Sequence, residues 1–145
     1  MRQNIYIDID GVILTRGGIP ALHLDEFLKF ILSNYYVSWL TSRCRGDSKY
    51  TVKYLSRFLL PGAIALIERI KPTSFLLDKT EAIDFDKKFF WLDDELFVSE
   101  ERTLKEQGKY DSWIEVDLIK NPNQLNYLIH NKLPRAKSFR LGPQS

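Results

Sequence analysis

Short apolar segments that end in polar residues alternate along this chain with segments of helical periodicity, and this alternation limits the possible folds more than any other feature. Four segments have the length and the β-branched or aromatic content of buried strands, namely residues 4–9, 35–40, 89–92 and 113–116. Helical patterns lie between and after them, at residues 22–32, 47–59, 99–106 and 121–129. Such alternation is typical of an α/β fold. We therefore expect a mainly parallel central sheet with helices on both faces, a three-layer arrangement.

Local signals place the ends of several helices. Asp47 or Ser48 is expected to cap the second helix, which Pro61-Gly62 would end. Ser99 is expected to cap the helix that follows the third strand, and Gly108 to close it. Residues 79–83 predict a short helical piece, whereas residues 63–70 fit either a buried strand or a short helix, closed in both cases by Pro72.

Length and composition indicate one ordinary globular domain. The chain has 145 residues, of which 44% are hydrophobic and 28% charged, and its formal net charge of +2 does not by itself argue for nucleic acid or a membrane as partner. A single cysteine excludes an intrachain disulfide and a cysteine-rich zinc site. No apolar stretch approaches the roughly 20 residues that span a bilayer, and no signal peptide is visible, so we expect a cytoplasmic protein without membrane contact.

The last residues differ from the rest of the chain. We assign residues 1–133 to the α/β domain and residues 134–145 to a basic tail, because no periodicity is detectable from Pro134 onward and disorder is expected there. Basic residues gather at this end without acids between them, namely Lys132, Arg135, Lys137 and Arg140. We interpret the cluster as solvated tail, and weak contact with a polyanion is the alternative.

Residues able to do chemistry follow the predicted strands at the points where these end. They are Asp8 and Asp10 after the first strand, Thr41 and Ser42 after the second, Lys79, and Asp93 with Asp94 after the third. In open α/β sheets, ligands bind outside the carboxyl ends of the strands. Four carboxylates, a hydroxyl and an ammonium group would therefore converge, a set suited to Mg²⁺-dependent phosphoryl transfer. Residues i and i+2 of an extended segment point the same way, so Asp8 and Asp10 could face one phosphate.

The order of these motifs resembles the four signatures of the haloacid dehalogenase (HAD) superfamily. Its members share a Rossmann-like fold, and the resemblance extends from Ile5 to about Leu133. The motifs that carry the resemblance are, in order, Asp-x-Asp-Gly-Val, a hydrophobic strand followed by Thr-Ser, a lysine, and a hydrophobic strand followed by Asp-Asp. The Asp-x-Asp-Gly pattern alone is a weak signal, whereas the four together are a strong one.

The resemblance implies a role for each motif. Asp8 would be the nucleophile and a metal ligand, and Asp10 the general acid and base, with its backbone carbonyl also on the metal. Thr41 would bind the transferring phosphoryl group, with Ser42 beside it, and Lys79 would offset negative charge. The resemblance further implies that Asp93 binds Mg²⁺ directly and Asp94 either directly or through a water molecule.

Structural explanations compete with these roles. Asp10-Gly11 could form only a turn, Thr41-Ser42 a turn or helix cap, and Asp93-Asp94 the cap of the next helix. Lys79 competes with its neighbours Lys71, Lys87 and Lys88, and we favour it because Lys-Thr-Glu-Ala-Ile resembles the start of the family's short helix.

Two arginines follow the phosphate-binding segment closely. Arg43 and Arg45 lie in the stretch Thr-Ser-Arg-Cys-Arg-Gly-Asp, beside the expected phosphate site. They would bind a second phosphate or shape the choice of substrate, and a surface role is the alternative.

The chain leaves little room for a cap domain over the site. Residues 11–22 suffice for a flap, and the interval from Thr41 to Lys79 is taken up by a helix and the 63–70 segment. This resembles the capless class, whose members often act on macromolecules, including phosphoproteins and nucleic-acid ends, while other members act on small substrates. We therefore expect a phosphorylated substrate of unknown class, with a macromolecule or nucleic acid among the candidates.

The leading hypothesis is a Mg²⁺-dependent phosphomonoester hydrolase that works through a phosphoenzyme on Asp8. A response-regulator-like receiver is a second hypothesis, although the paired acids at the third predicted strand fit it poorly. A degenerate phosphate-binding or regulatory module without turnover is a third. A phosphotransferase that acts on nucleic-acid ends remains open, because water and alcohols use the same groups.

Overall fold

The computed structural model describes residues 2–136, which form an α/β fold with an all-parallel sheet. The strands of this part of the chain are β1 (Gln3–Ile7), β2 (Tyr35–Trp39), β3 (Phe89–Asp93) and β4 (Trp113–Glu115). The α-helices described are α1 (Leu24–Asn34), α2 (Ser48–Leu55), α3 (Pro61–Ile67), α4 (Val98–Glu106) and α5 (Gln124–Tyr127). Short 3₁₀ turns occupy Lys79–Ala82 and Tyr110–Ser112, and a π-helical segment follows α5 at Leu128–Lys132.

The strand order β2-β1-β3-β4 puts β1 in the interior of the sheet, between β2 and β3. Ile5 pairs with Val37 on one side and with Phe90 on the other, and every pairing is parallel. Parallel strands end at the same edge, so the segments that follow β1, β2 and β3 meet along one side of the sheet. This topology decides which distant residues become neighbours.

Side chains of the sheet alternate between two apolar clusters. Ile5 and Ile7 of β1 pack in the larger cluster, which includes buried residues of α1 and α5. Tyr6, between them, packs in the smaller cluster together with Trp91 and with Leu104 of α4. The central strand is therefore buried on both faces, as its nearly continuous apolar sequence predicts.

The structure confirms the predicted strands to within two residues and the helices α1 and α2. It resolves the ambiguous 63–70 segment in favour of helix, since α3 covers Pro61–Ile67 with Pro61 in its first turn, where the missing N–H of proline has no cost. The prediction that Pro61-Gly62 ends the second helix is therefore wrong. These residues begin the next helix.

The expected cap at Ser99 is also wrong. Helix α4 begins at Val98 with Phe97 as its N-cap residue, and the carboxylate of Glu100 accepts a hydrogen bond from the Phe97 N–H at 3.0 Å. Glu100 thus binds the N–H of the N-cap residue, whereas a capping serine hydroxyl would bind an N–H within the first turn.

The first residues of the predicted tail, 134–136, contact the start of β2 and the end of α1. The Tyr35 hydroxyl donates to the Pro134 carbonyl at 2.5 Å, and the Ala136 N–H donates to Asn34 Oδ1 at 2.9 Å. Lys137 and Arg140, with the rest of the predicted tail, lie outside the described residues. Within residues 2–136, none of the helices has both the length and the apolar character to cross a bilayer.

Candidate active site

Three carboxylates meet where β1 and β3 end. One oxygen from each of Asp8, Asp93 and Asp94 lies within 4.8 Å of the other two. The sheet produces this meeting, because Ile7 pairs with Leu92 and the Asp8 N–H donates to the Leu92 carbonyl at 3.2 Å. Asp8 and Asp93 are buried, and Asp94 is exposed.

Lys79 lies between two of these acids. Its ammonium nitrogen is 3.1 Å from Asp8 Oδ2 and 2.6 Å from Asp93 Oδ2, and its side chain is 16% exposed. A turn directs it there, because the Glu81 carboxylate accepts hydrogen bonds from the backbone N–H groups of residues 76–78 and fixes the chain just before Lys79. Of the lysines weighed from the sequence, Lys79 is the one that the structure brings to the acids.

Negative charge exceeds positive charge in this cluster. Burial alone would lower the pKa of Lys79, but Asp8 and Asp93 outweigh it and raise that pKa above its ordinary value. Burial, followed by the charge of Asp8, raises the pKa of Asp93 to about 8 against the opposing effect of Lys79. Asp8 and Asp93 thus share one ammonium group while Asp94 adds a third carboxylate, and a further cation would relieve the repulsion among the three.

The buried acids are held in place by further donors. Asp8 Oδ1 accepts from the Ile9 N–H at 2.8 Å. Asp93 Oδ2 accepts from the indole N–H of Trp91 at 3.3 Å, and its Oδ1 from the Glu95 N–H at 3.2 Å. Carboxylates fixed in this way suit a hard cation such as Mg²⁺, which prefers oxygen ligands near octahedral geometry. The donor set of Asp8, Asp93 and Asp94 therefore fits Mg²⁺.

Glu100 supports the lysine turn and is absent from the residues singled out by sequence reasoning. It is 2% exposed, and its Oε2 accepts the backbone N–H of Lys79 at 2.9 Å while Oε1 caps α4. Its place in the first turn of α4 is a sequence signal for the cap. The contact with Lys79 depends on tertiary structure, so no local pattern could reveal it.

Asp10 faces different partners from Asp8. Regular pairing of β1 ends at Ile7, and the chain turns sharply because the Ile9 carbonyl accepts from three following N–H groups. The Asp10 side chain is 55% exposed and its Oδ2 accepts from Arg43 Nε at 2.9 Å. That hydrogen bond raises the pKa of Arg43. The two acids thus have separate cationic neighbours, Lys79 and Arg43.

Tyr54 of α2 completes this arrangement and was not among the residues named from the sequence. The guanidinium carbon of Arg43 lies 3.8 Å from the centre of the Tyr54 ring, a stacked cation–π contact. Asp10, Arg43 and Tyr54 therefore form a row in which the ring supports the arginine and the arginine orients the acid.

The segment after β2 contributes a buried hydroxyl. Thr41 is 2% exposed, and its Oγ1 accepts from the Arg43 N–H at 3.3 Å, which leaves its O–H hydrogen free to donate elsewhere. Ser42 and Arg45 are exposed, and Arg45 has a positive φ of 52°. Within residues 2–136, the side chains of these two make no hydrogen bond or ion pair with the acidic cluster.

Gly11 packs directly against Asp94. Its φ is +85°, and a Cβ atom placed on it would lie 2.4 Å from Asp94 Cγ. Only glycine meets both conditions without strain. The Asp10-Gly11 pair thus forms a turn and also brings the backbone close to Asp94, a candidate metal ligand.

A cavity of about 470 Å³ adjoins this side of the site. Its lining includes Asp10, Gly11 and Asp94, together with residues 15–18, Tyr54 and residues 115–119. The sequence marks the strand ends but has no local signal for this space, because its lining comes from segments that are distant in the sequence.

Comparisons with known proteins identify no relative of this chain. No family model, no curated protein and no solved structure matches it. Its chemistry must therefore be argued from the arrangement of its own residues.

Proposed function

We propose that the protein is a Mg²⁺-dependent phosphomonoester hydrolase of the HAD type that works through an aspartyl-phosphate on Asp8. The proposal includes a three-layer Rossmann-like core without a cap domain. The observation that carries it is the ammonium group of Lys79, held between Asp8 and Asp93 at the ends of two adjacent parallel strands, with Asp94 close by.

In the first step, an oxygen of Asp8 attacks phosphorus and the bond from phosphorus to the leaving oxygen breaks. Asp10 acts as the general acid and donates a proton to the leaving oxygen. Water then attacks phosphorus, Asp10 takes a proton from it, and the bond between phosphorus and Asp8 breaks to release phosphate and restore the enzyme. A carboxylate nucleophile divides one difficult displacement into two easier ones.

Charge must be offset because two anions approach each other. Lys79 donates toward Asp8 and the phosphoryl oxygens, and the free O–H of Thr41 donates to another phosphoryl oxygen. Arg43 holds Asp10 in place through its 2.9 Å hydrogen bond. Ser42 and Arg45, both exposed, would contact the part of the substrate that lies outside the cluster.

Asp8, Asp93 and Asp94 would hold Mg²⁺, together with the backbone carbonyl of Asp10. When bound, the ion supplies Lewis-acid stabilisation of negative charge on the phosphoryl oxygens. The excess of carboxylates over ammonium groups in the cluster supports this part of the proposal.

The test is phosphate release from an aryl phosphate with Mg²⁺ by the wild type and by Asp8→Asn. We expect Asp8→Asn to lose at least about a thousandfold in kcat, as removal of a nucleophile does in other enzymes. Asp86→Asn is the matched control and should retain activity, because Asp86 is an exposed acid outside the cluster and precedes the end of β3 opposite Asp93. Wild-type rates in Asp8→Asn would refute the mechanism. A stable phosphoprotein from acetyl phosphate, formed without turnover, would favour the receiver-like alternative.

A further inference from the structure

The cavity beside Asp10 lies where the leaving group of a phosphomonoester must be. A general acid has to come within about 2.6–3.2 Å of the atom that it protonates. Asp10 and Asp94 both line the cavity, so a leaving oxygen at Asp10 has this space next to it. The proposed function of Asp8 and Asp10 is the premise of this step.

The cavity has the size of a small-molecule site. Its volume of about 470 Å³ falls in the range of roughly 300–1,000 Å³ found for such sites. It therefore accommodates a whole small alcohol.

One wall of the cavity is a preformed loop. Thr15 makes two hydrogen bonds to the Ile19 carbonyl, from its N–H at 2.7 Å and its hydroxyl at 3.0 Å, and the Gly18 N–H donates back to the Thr15 carbonyl. Gly18 fits tightly against Phe58, since a Cβ atom on it would lie 2.6 Å from that ring. The wall exists before any ligand arrives, so its shape and charge can select the substrate.

Hydrogen-bond acceptors and negative charge dominate the lining. Asp10 is hydrogen-bonded to Arg43, and Asp94 belongs to the metal site proposed above. Beyond these two, the lining contains two further acids, Glu115 and Asp117, and a single cationic residue, Arg16. Carboxylates accept hydrogen bonds from hydroxyl groups and repel a second anion on the same ligand.

We propose that the substrate is the phosphomonoester of a small uncharged polyol, with the polyol in this cavity. The carboxylates of Glu115 and Asp117 would accept hydrogen bonds from its hydroxyl groups. An alcohol that carries a carboxylate or a further phosphate, including the end of a nucleic acid, is disfavoured by the same two side chains.

A matched pair of substrates tests this selection. Glucitol 6-phosphate and 6-phosphogluconate have the same chain length and the same reacting phosphate, but the second has a carboxylate in place of the terminal hydroxymethyl group. We expect kcat/KM to favour glucitol 6-phosphate by at least about tenfold. An aryl phosphate serves as the reference for chemistry at Asp8.

The double variant Glu115→Gln, Asp117→Asn should reduce that preference to about threefold or less. Asp117→Asn keeps a side-chain oxygen, so it can still accept the hydrogen bonds that the backbone N–H groups of Ile119 and Lys120 donate to Asp117 Oδ1. The control is Glu106→Gln, Asp111→Asn, which removes two exposed acids outside the cavity lining and should leave the preference as it is. If the double variant does not fold, Glu115→Gln alone should shift the preference in the same direction.

The outcomes separate the two proposals. If the enzyme hydrolyses the aryl phosphate but has the same kcat/KM for glucitol 6-phosphate and 6-phosphogluconate, the polyol inference is overturned and the proposed function stands. A preference that is unchanged in the double variant, or faster turnover of a 5′-phosphorylated oligonucleotide than of glucitol 6-phosphate, also overturns it. An enzyme inert toward every substrate, the aryl phosphate included, overturns the proposed function and the inference with it.

Discussion

Gly11 offers a direct test of whether Asp94 belongs to a metal site. A Cβ atom on Gly11 would lie 2.4 Å from Asp94 Cγ, whereas ordinary contacts begin at 3.4 Å. In Gly11→Ala the carboxylate must therefore move by about 1 Å, the difference between these distances. Metal ligands tolerate deviations of only about 0.2 Å. We expect Mg²⁺ affinity to fall by about 10–100-fold and kcat by about 100-fold, as for other misplaced groups.

The assay is calorimetric titration with Mg²⁺, followed by phosphate release at saturating metal. Alanine at position 11 also adds backbone strain of about 1–3 kcal/mol, because φ is +85° there. Gly17→Ala is the matched control: Gly17 has the same φ of +85°, but nothing lies within 4 Å of the added Cβ. It should lose similar stability and keep its Mg²⁺ affinity. Equal Mg²⁺ affinities in the two variants would refute the reasoning.

Two further predictions concern side chains that orient or anchor others. Arg43→Ala should lower kcat by about 10–100-fold for alkyl phosphates and little for aryl phosphates, whose leaving groups need no proton. Tyr54→Ala should show the same pattern, whereas Tyr54→Phe keeps the ring and should retain activity on both substrate types. Equal losses of kcat on alkyl and aryl phosphates would contradict the role given to Arg43. Burial raises the pKa of Tyr35 from 10.0 to about 12. The tyrosinate absorbance of Tyr35, obtained by subtracting the pH titration of Tyr35→Phe from that of the wild type, should therefore appear near pH 12. Since the unfolded chain ionises first, this tyrosine's contribution to stability should be lost as pH rises from 10 to 12, which pH-dependent denaturant unfolding of both proteins would measure.

The strand ends were predictable because each strand has a local signature. Apolar β-branched and aromatic residues mark β1 and β3, and the acids follow them directly in the sequence. Asp8 and Asp93 become neighbours because β1 pairs with β3. No local signal predicts this pairing, and only the general rule that ligand sites form at the carboxyl ends of parallel strands suggests it. Lys79 was selected by resemblance, and the physical reason for its position is the turn held by Glu81.

Other parts of the site had no local signal. Tyr54 lies on α2, eleven residues beyond Arg43 in the sequence, and their contact arises from the way the helix packs. Glu100 reaches Lys79 across 21 positions of the chain. Helix α3 was ambiguous because a short apolar run has no decisive period, and the first-turn position of Pro61 settles it only once the backbone is known.

The ammonium group of Lys79 has a consequence for how the chain can fold without a bound metal ion. Asp8 and Asp93 already share an internal counter-ion, with contacts of 3.1 and 2.6 Å, so their mutual repulsion is partly cancelled within the chain itself. Small domains that rely on a structural metal unfold when it is withdrawn. This chain instead carries its own positive charge at the centre of the cluster. The chain itself therefore supplies part of the charge compensation that the buried acids require when it folds.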